Sequence, residues 1–157
     1  MNRVVSLTAP ELEFEPDAPE RFRSGSVSLG DLFGSTVTGT TFYELPPGQA
    51  ICPYHFEYTE EEWLLVLEGR PTLRTPEGRG PLAPLDVAFF PKGPEGAHQV
   101  INETEERVRV LMWANRVDLG AVVYPDSDKL TLYTGVKGEQ WRIRRSAPSL
   151  GYYDGEV

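Results

Sequence analysis

Four side chains that commonly bind metal ions stand in two short stretches of the sequence, His55, Glu57 and Glu62 in the first and His98 in the second. The chain has two histidines, and both belong to this group. Residues two apart on a β-strand project to the same face, so His55 and Glu57 are expected to point together. A turn through residues 58–61 would bring Glu62 back beside them. Imidazoles and carboxylates suit Fe, Mn, Ni or Zn, and the pattern predicts a site for one divalent transition metal ion.

Each of these residues also has an ordinary structural interpretation when it is taken alone. A histidine on a strand is more often a hydrogen-bonded part of the core than a metal ligand. The run Glu60, Glu61 and Glu62 is also consistent with a solvated, charged surface. A metal site is therefore expected only if the fold brings the two stretches together.

The segments that would have to position these side chains are typical of short β-strands. Runs rich in apolar, β-branched and aromatic residues alternate with turn-prone Gly, Pro, Asn and Asp. These runs cover residues 36–45, 50–56, 62–67, 71–75, 87–90, 97–101, 107–113, 121–124 and 130–133. No stretch of a dozen residues has a 3.6-residue apolar period, so no long amphipathic helix is expected. The pattern predicts an all-β sandwich or barrel in residues 25–157, preceded by an extended N-terminal arm at residues 1–24.

Composition and charge argue against several classes of partner. The 157 residues are enough for one domain, and 39% of them are hydrophobic. The formal net charge of −9 opposes nucleic acid, because DNA and RNA binding needs clustered Lys and Arg. No run approaches the roughly 20 apolar residues of a membrane span. The single cysteine, Cys52, has no internal disulfide partner and fits a reducing compartment, so a cytoplasmic protein is expected.

The segment 62–67 is apolar on both of its faces. Leu64 and Val66 alternate there with Trp63, Leu65 and Leu67. A strand that is apolar on both sides lies between two layers of structure, or between a core and a partner subunit. This pattern is our reason to expect a homodimer.

Two stretches of the chain resemble the two conserved motifs of the cupin superfamily. In the first, Gly48 is followed by His55, Glu57, Glu62 and Gly69, in the order of the cupin Gly-His-His-Glu-Gly pattern and near its spacing. In the second, Leu85 stands in place of the usual first glycine and is followed by Pro91, Gly93, His98 and Asn102. The match covers the chain from Gly48 to Asn102.

The resemblance implies one cupin domain, whose fold is a double-stranded β-helix, or jelly-roll β-barrel. It also implies that His55, Glu62 and His98 converge as metal ligands. Glu57 is the main departure, because it stands where most metal-binding cupins have a second histidine. A carboxylate also binds hard and borderline cations, so Glu57 is kept as a fourth ligand. The alternative is a pocket that has lost its metal and binds only a small molecule.

The fold alone does not select an activity, because cupins include dioxygenases, isomerases, decarboxylases, storage proteins and sugar-binding sensors. The ligand set also resembles the two-histidine, one-carboxylate triad of non-haem Fe(II) oxygenases. We therefore expect a metal-dependent enzyme that acts on a small oxygenated metabolite, dioxygenase-like or isomerase- or lyase-like, with an oxidoreductase of the dioxygenase type favoured. The alternative is a non-catalytic cupin that binds a small molecule. No organic cofactor and no catalytic residue besides the ligands is assigned by the sequence.

Strand alternation selects Tyr43, Phe89, Val100 and Met112 as candidate pocket lining around the metal. Each of these positions is equally consistent with a place in the hydrophobic core. The same alternation predicts that Cys52 and Tyr54 face away from the metal. A nucleophilic role for Cys52 is therefore not expected.

Overall fold

The computed structural model describes residues 4–136 and 138–156, and β-strands dominate it. The strands are β1 (Gly25–Ser28), β2 (Thr38–Leu45), β3 (Phe56–Glu57), β4 (Glu62–Glu68), β5 (Thr72–Thr75), β6 (Gly78–Pro81), β7 (Val87–Phe90), β8 (Gln99–Ile101), β9 (Val108–Asn115), β10 (Gly120–Tyr124), β11 (Lys129–Tyr133) and β12 (Gln140–Arg144). One α-helix, α1 (Leu29–Phe33), and the short 3-10 turns Glu20–Phe22, Pro94–Gly96 and Pro125–Ser127 complete the elements. Within the described part of the chain, no helix has the length and apolarity needed to cross a membrane.

The strands form antiparallel sheets in a jelly-roll arrangement, which confirms the all-β prediction. A five-stranded sheet has the order β1-β2-β9-β4-β7, and a four-stranded sheet has the order β12-β11-β10-β3. A third sheet has the order β6-β5-β8. Strands distant in sequence therefore become neighbours, as when β9 inserts between β2 and β4.

The main hydrophobic core lies on the inner face of the five-stranded sheet. Leu64 and Val66 of β4 are fully buried there, together with Val110 of β9. These side chains alternate along each strand with residues of the opposite face, as a half-buried strand requires. The sheet thus fixes the orientation of every side chain on β4, including Glu62 at its first position.

The outer face of the same sheet is also apolar, but it remains partly exposed. Trp63 packs against Phe89 with ring centroids 4.5 Å apart, and it stacks on Trp113 at 6.0 Å. Val87 and Leu67 extend this surface, and both are exposed. We call the surface formed by these five residues the outer apolar face.

The expected strand over residues 50–56 is wrong for most of its length, because residues 51–54 are bends and the strand β3 begins at Phe56. Pro53 lacks the N–H that a continuous ladder needs. The segment is instead held by isolated bonds, such as the Ile51 N–H donating to the Val100 carbonyl at 3.1 Å. Strands β1, β6 and β12 were not predicted, and they add the outer edges of the three sheets.

Residues 4–24 contain no strand or α-helix, but bonds attach this segment to the barrel. Glu13 and Ser26 form an antiparallel bridge. The Arg23 N–H donates to the Gln49 side-chain oxygen at 2.8 Å, and the Ala50 N–H donates to the Arg21 carbonyl at 2.8 Å. The segment therefore runs beside the turn that precedes the first cupin-like motif.

Candidate metal centre

His55 and His98 lie directly opposite each other in an antiparallel β-bridge. The His98 N–H donates to the His55 carbonyl at 2.8 Å, and the His55 N–H donates to the His98 carbonyl at 3.1 Å. Residues paired in this way project their side chains to the same face. The imidazole centroids are accordingly 4.7 Å apart, so the backbone itself places the two rings side by side.

Backbone carbonyls orient both imidazole rings. His55 Nδ1 lies 3.0 Å from the Pro53 carbonyl, and His98 Nδ1 lies 2.9 Å from the Gly96 carbonyl. A carbonyl accepts but cannot donate, so each Nδ1 carries the hydrogen and each neutral ring keeps its lone pair on Nε2. This is the arrangement that second-shell hydrogen bonds impose on metal-binding histidines.

Glu62 completes a compact group of three potential ligands. Its Oε2 atom lies 3.6 Å from Nε2 of His55 and 3.6 Å from Nε2 of His98. The three ligand atoms all lie within 4.8 Å of one another. Nε2 of His98 is buried and has no hydrogen-bond partner among the described residues. A buried lone pair beside a carboxylate fits a bound cation, because leaving such an atom unsatisfied is unfavourable.

The protonation states of His98 and Glu62 also suit a cation. Burial, reinforced by His55, lowers the pKa of His98 to about 4. Burial alone would raise the pKa of Glu62, but the two neighbouring imidazoles outweigh it and lower the pKa. At neutral pH the group therefore offers a neutral imidazole and a carboxylate, the forms that bind metal.

His55 behaves differently from His98 in the absence of a cation. Burial disfavours its charged form, but Cys52 and Glu62 outweigh this effect and raise its pKa well above the usual value. A cation beside Nε2 would repel an imidazolium and favour the neutral ring. Proton release from His55 is thus expected to accompany metal binding.

The structure does not bring Glu57 into the group of three. His55 pairs with His98, whereas Glu57, two residues later, pairs with Val122 of β10. The chain changes its bridge partner between these positions, and Glu57 lines a separate cavity of about 310 Å³ with Glu60. Burial, followed by the charge of Glu62, raises the pKa of Glu57 to about 8. A role for Glu57 as fourth ligand remains a prediction.

Phe90 is a site residue that sequence analysis missed. Its ring stacks on His98 with centroids 3.6 Å apart and an angle of 8° between the planes. Phe90 is 4% exposed, whereas the predicted Phe89 is 44% exposed and packs on Trp63 in the outer apolar face. The pairing of Phe90 with Glu62 across β4 and β7 distinguishes the two phenylalanines, but it cannot be read from one strand alone.

A cavity of about 250 Å³ adjoins the metal centre. Two predicted lining residues, Tyr43 and Met112, border it together with His55 and Glu62. The third, Val100, is buried in the hydrophobic core instead. The cavity therefore combines one end of the metal centre with a tyrosine hydroxyl and an apolar wall.

Cys52 also borders this cavity, so the expectation that it faces away from the metal is wrong. Its Sγ atom lies 3.4 Å from Nδ1 of His55. Strand alternation does not apply to residues 51–54, because they form bends. Tyr54, by contrast, packs in a small second core with Phe56 and Val123.

A second, larger cavity of about 1160 Å³ shares Tyr43, Ile51 and Cys52 with the first. Residues of the N-terminal segment line one part of it, and residues of β10 and β11 line another. Tyr124 of β10 stacks on His55 with ring centroids 5.9 Å apart. The larger cavity therefore continues from the surroundings of His55 toward the four-stranded sheet.

Comparison with known proteins agrees with this fold. Residues 41–114 match the family model described as the cupin domain. A proposed sugar phosphate isomerase from Acidithiobacillus ferrooxidans is 29% identical, with a TM-score of 0.76 over 82% of this chain and 81% of its own. A sugar phosphate isomerase of the cupin superfamily from Silicibacter pomeroyi is 25% identical, with a TM-score of 0.80 over 95% and 97%. No curated protein matches the chain.

The polyketide cyclase RemF from Streptomyces resistomycificus shares the fold, with 24% identity and a TM-score of 0.61 over 73% of this chain and 80% of its own. Residues 41–114 form a cupin domain by the match to the family model, and the structures that share the fold include a member of the cupin superfamily.

Proposed function

We propose that this chain is a metal-dependent cupin enzyme that isomerises a small oxygenated metabolite, with His55, Glu62 and His98 as metal ligands. The observation that carries the proposal is the buried Nε2 atom of His98, which has no partner among the described residues and lies 3.6 Å from the Glu62 carboxylate. Fe, Mn, Ni and Zn all suit two imidazoles and a carboxylate. A bound divalent ion would supply Lewis acidity toward a carbonyl or enolate oxygen.

The residues around the ligands support chemistry on a polar substrate. Burial raises the pKa of Tyr43 to about 12, so its hydroxyl stays protonated and can donate a hydrogen bond in the cavity. Met112 and Ile51 supply apolar surface that limits water on the same side. The carboxylate of Glu62 and the ring nitrogens hold fixed positions through the backbone bridge and β4. The chain therefore offers one proton donor beside a preorganised ligand group.

The isomerase assignment departs from the dioxygenase chemistry that the ligand triad favoured. Two similar proteins, 29% and 25% identical to this chain, are named sugar phosphate isomerases, and the second aligns over 95% of this chain. Isomerisation of a sugar needs a polarised carbonyl, a base that removes the proton from the neighbouring carbon and a group that returns a proton, and it needs no oxidant. The alternative, a cupin that binds its ligand without reaction, remains the second candidate.

Two further parts of the proposal concern assembly and location. We propose that the outer apolar face is the contact between two copies of the chain, because Trp63, Phe89 and Trp113 form one continuous aromatic patch on a single sheet. Closed two-fold pairing through one face is the commonest form of oligomer. The lone Cys52 supports a reducing, cytoplasmic location.

Metal analysis tests the central proposal. Protein purified without chelators is expected to contain close to one equivalent of a transition metal, and His98→Ala is expected to contain far less. Less than about a tenth of an equivalent in the wild type, unchanged in the variant, would contradict a metal site.

Proton exchange separates an enzyme from a binder. The protein is incubated in D2O with a panel of aldose and ketose phosphates. Deuterium is expected to appear on the carbon beside the carbonyl of one substrate, and NMR measures this exchange. The Glu62→Gln variant serves as the control that lacks a ligand carboxylate. Saturable binding without any exchange would favour the non-catalytic candidate.

Light scattering tests the dimer. The expected mass at tens of micromolar is twice the 17.6 kDa of one chain. Trp63→Glu should yield the monomer, whereas Tyr152→Glu changes an exposed aromatic residue outside this face and should not. A monomeric wild type would refute the contact.

A further inference from the structure

The lining of the larger cavity is positively charged in a chain that is otherwise acidic. Its basic side chains are Arg21, Arg74, Arg79, Lys129 and Arg142. Its acidic side chains are Glu13, Glu15 and Asp126. The chain as a whole has a formal net charge of −9, so the excess of basic groups here runs against the composition. A cavity with this sign concentrates anions near its walls.

Two of these basic groups are already neutralised by carboxylates. Arg74 makes a two-pronged contact with Asp126 at 2.6 and 2.8 Å, and Arg79 contacts Glu103 at 2.6 Å. Arg74 also lies over the ring of Tyr54 at 3.9 Å. These contacts fix both arginines in the cavity wall and use their charge locally.

Lys129 and Arg142 are different, because no carboxylate lies within 4.0 Å of either among residues 4–136 and 138–156. Lys129 Nζ lies 4.3 Å from the centroid of the Tyr124 ring. Arg142 donates to the neutral side-chain oxygen of Gln140 at 2.9 Å. Both cations thus line the cavity with their charge available to a ligand.

The strand register places Lys129 and Arg142 on the same face of the sheet as Tyr124, whose ring stacks on His55. Lys129 pairs with Tyr124 across β11 and β10, and Tyr124 in turn stacks on His55 at 5.9 Å. Arg142 pairs with Thr131, which lies two residues from Lys129, so both cations project from the same face of the sheet. Two strand spacings separate Lys129 from His55, a distance of about 10 Å. The side chains of one row on this face thus lead from His55 through Tyr124 to Lys129.

We propose that Lys129 and Arg142 bind the phosphoryl group of a substrate whose carbonyl end lies at His55, Glu62 and His98. The proposal rests on the proposed function and narrows its substrate class to small phosphate esters. Tyr124 lies between the two ends and supplies a flat surface for the carbon chain. Lys129 acts as a point charge and Arg142 as a planar donor, a combination suited to phosphate oxygens.

Calorimetric titration with inorganic phosphate tests the anion site in the full-length protein. Lys129→Gln and Arg142→Gln are each expected to weaken phosphate binding by roughly tenfold, because each removes one charge-assisted hydrogen bond. Lys92→Gln and Arg70→Gln make the same changes of charge at exposed positions outside the cavity, and they should bind phosphate like the wild type.

The His98→Ala variant separates this proposal from the metal proposal. It should retain phosphate binding, because the two cations act independently of the metal. Loss of phosphate binding in His98→Ala, with full binding in Lys129→Gln and Arg142→Gln, would place phosphate on the metal and overturn the proposal. Acetate that binds as tightly as phosphate would overturn the assignment of a phosphoryl group. If the wild-type protein binds no phosphate at concentrations of about 10 mM, the proposal of a phosphoryl site is also wrong, whatever the metal content of the protein.

Discussion

The two motif regions bring the candidate ligands together from two different kinds of local structure. Residues 97–102 of the second region are all buried, and His98 is fixed there by the Gly96 carbonyl and the ring of Phe90. A Cβ atom at Gly96 would collide with the Pro91 carbonyl, so this turn requires glycine. The first region, residues 50–61, consists mainly of bends, with isolated bridges and one two-residue strand, and it borders both cavities.

This difference separates two tasks within the centre. The second region holds one imidazole rigidly inside the barrel, where water cannot reach it. The first region holds His55 beside Cys52, and Cys52 also lines the larger cavity that contains Lys129 and Arg142. We infer that stability is concentrated around His98, and that substrate contacts are concentrated around His55.

The largest expected effect follows removal of the Asn102 side-chain amide, which is buried at the end of the second region. Asn102 is fully buried and donates to the Leu45 and Glu106 carbonyls at 2.9 and 2.7 Å, while its oxygen accepts from Thr104. Asn102→Ala leaves these groups unsatisfied and should lower the free energy of unfolding by about 3 kcal/mol. Urea denaturation measures the loss, with Glu105→Ala at an exposed position nearby as a comparison. A loss below about 1 kcal/mol would mean that the second region is not the rigid one.

Glu57 allows a test based on pH. The pKa of Glu57 is raised to about 8 in the folded protein, above the 4.5 of a free glutamate. The folded state therefore binds more protons than the unfolded state between these pH values, and stability falls as the pH rises through this window. Glu57→Gln lacks this titration, so between pH 6 and 9 it should lose about 2 kcal/mol less stability than the wild type.

The measurement is chemical denaturation of metal-free protein at several pH values, followed by metal analysis of both proteins. Retention of metal by Glu57→Gln, with loss of metal from Glu62→Gln, would confine the ligand set to three residues. Equal pH slopes in wild type and Glu57→Gln, together with loss of metal from the latter, would make Glu57 the fourth ligand.

Phe90 gives a smaller effect with a closely matched control. Phe90→Leu removes the ring stacked on His98 and should weaken metal binding about tenfold, because packing of this kind sets the orientation of a ligand ring. Phe89→Leu makes the same change one residue away on the outer apolar face and should leave metal affinity unchanged. Competition with a coloured chelator measures both affinities. Equal affinities in the two variants would remove Phe90 from the site.

Sequence patterns predicted the parts of the molecule where one local rule applies without interruption. The alternation of Leu64 and Val66 with Trp63 on β4 is an example, and the cupin-like motifs marked the two histidines and Glu62. The alternation rule failed at Cys52, because Pro53 breaks the ladder before the pattern of side chains can continue.

Other features depend on pairing between distant strands, which a single sequence does not express. Phe90 rather than Phe89 faces His98 because β7 pairs with β4 in one particular register. Glu57 lies outside the group formed by His55, Glu62 and His98 because its bridge partner is Val122 and not a residue of the second motif. The row from His55 to Lys129 likewise arises from the register of three strands.

The smallest expected effect concerns Cys52, which contacts His55 from the bends of the first region. The Pro53 carbonyl lies 3.0 Å from Nδ1 of His55 and the Cys52 sulfur lies 3.4 Å away, so the carbonyl is the better-placed partner. Cys52→Ser should therefore change metal affinity less than threefold and stability by less than about 0.5 kcal/mol. Chelator competition and urea denaturation measure the two quantities. A tenfold loss of metal affinity would show that the Cys52 thiol, and not the Pro53 carbonyl, orients the His55 ring. The orientation of the histidine would then depend on a side chain in the first region and on a backbone carbonyl in the second.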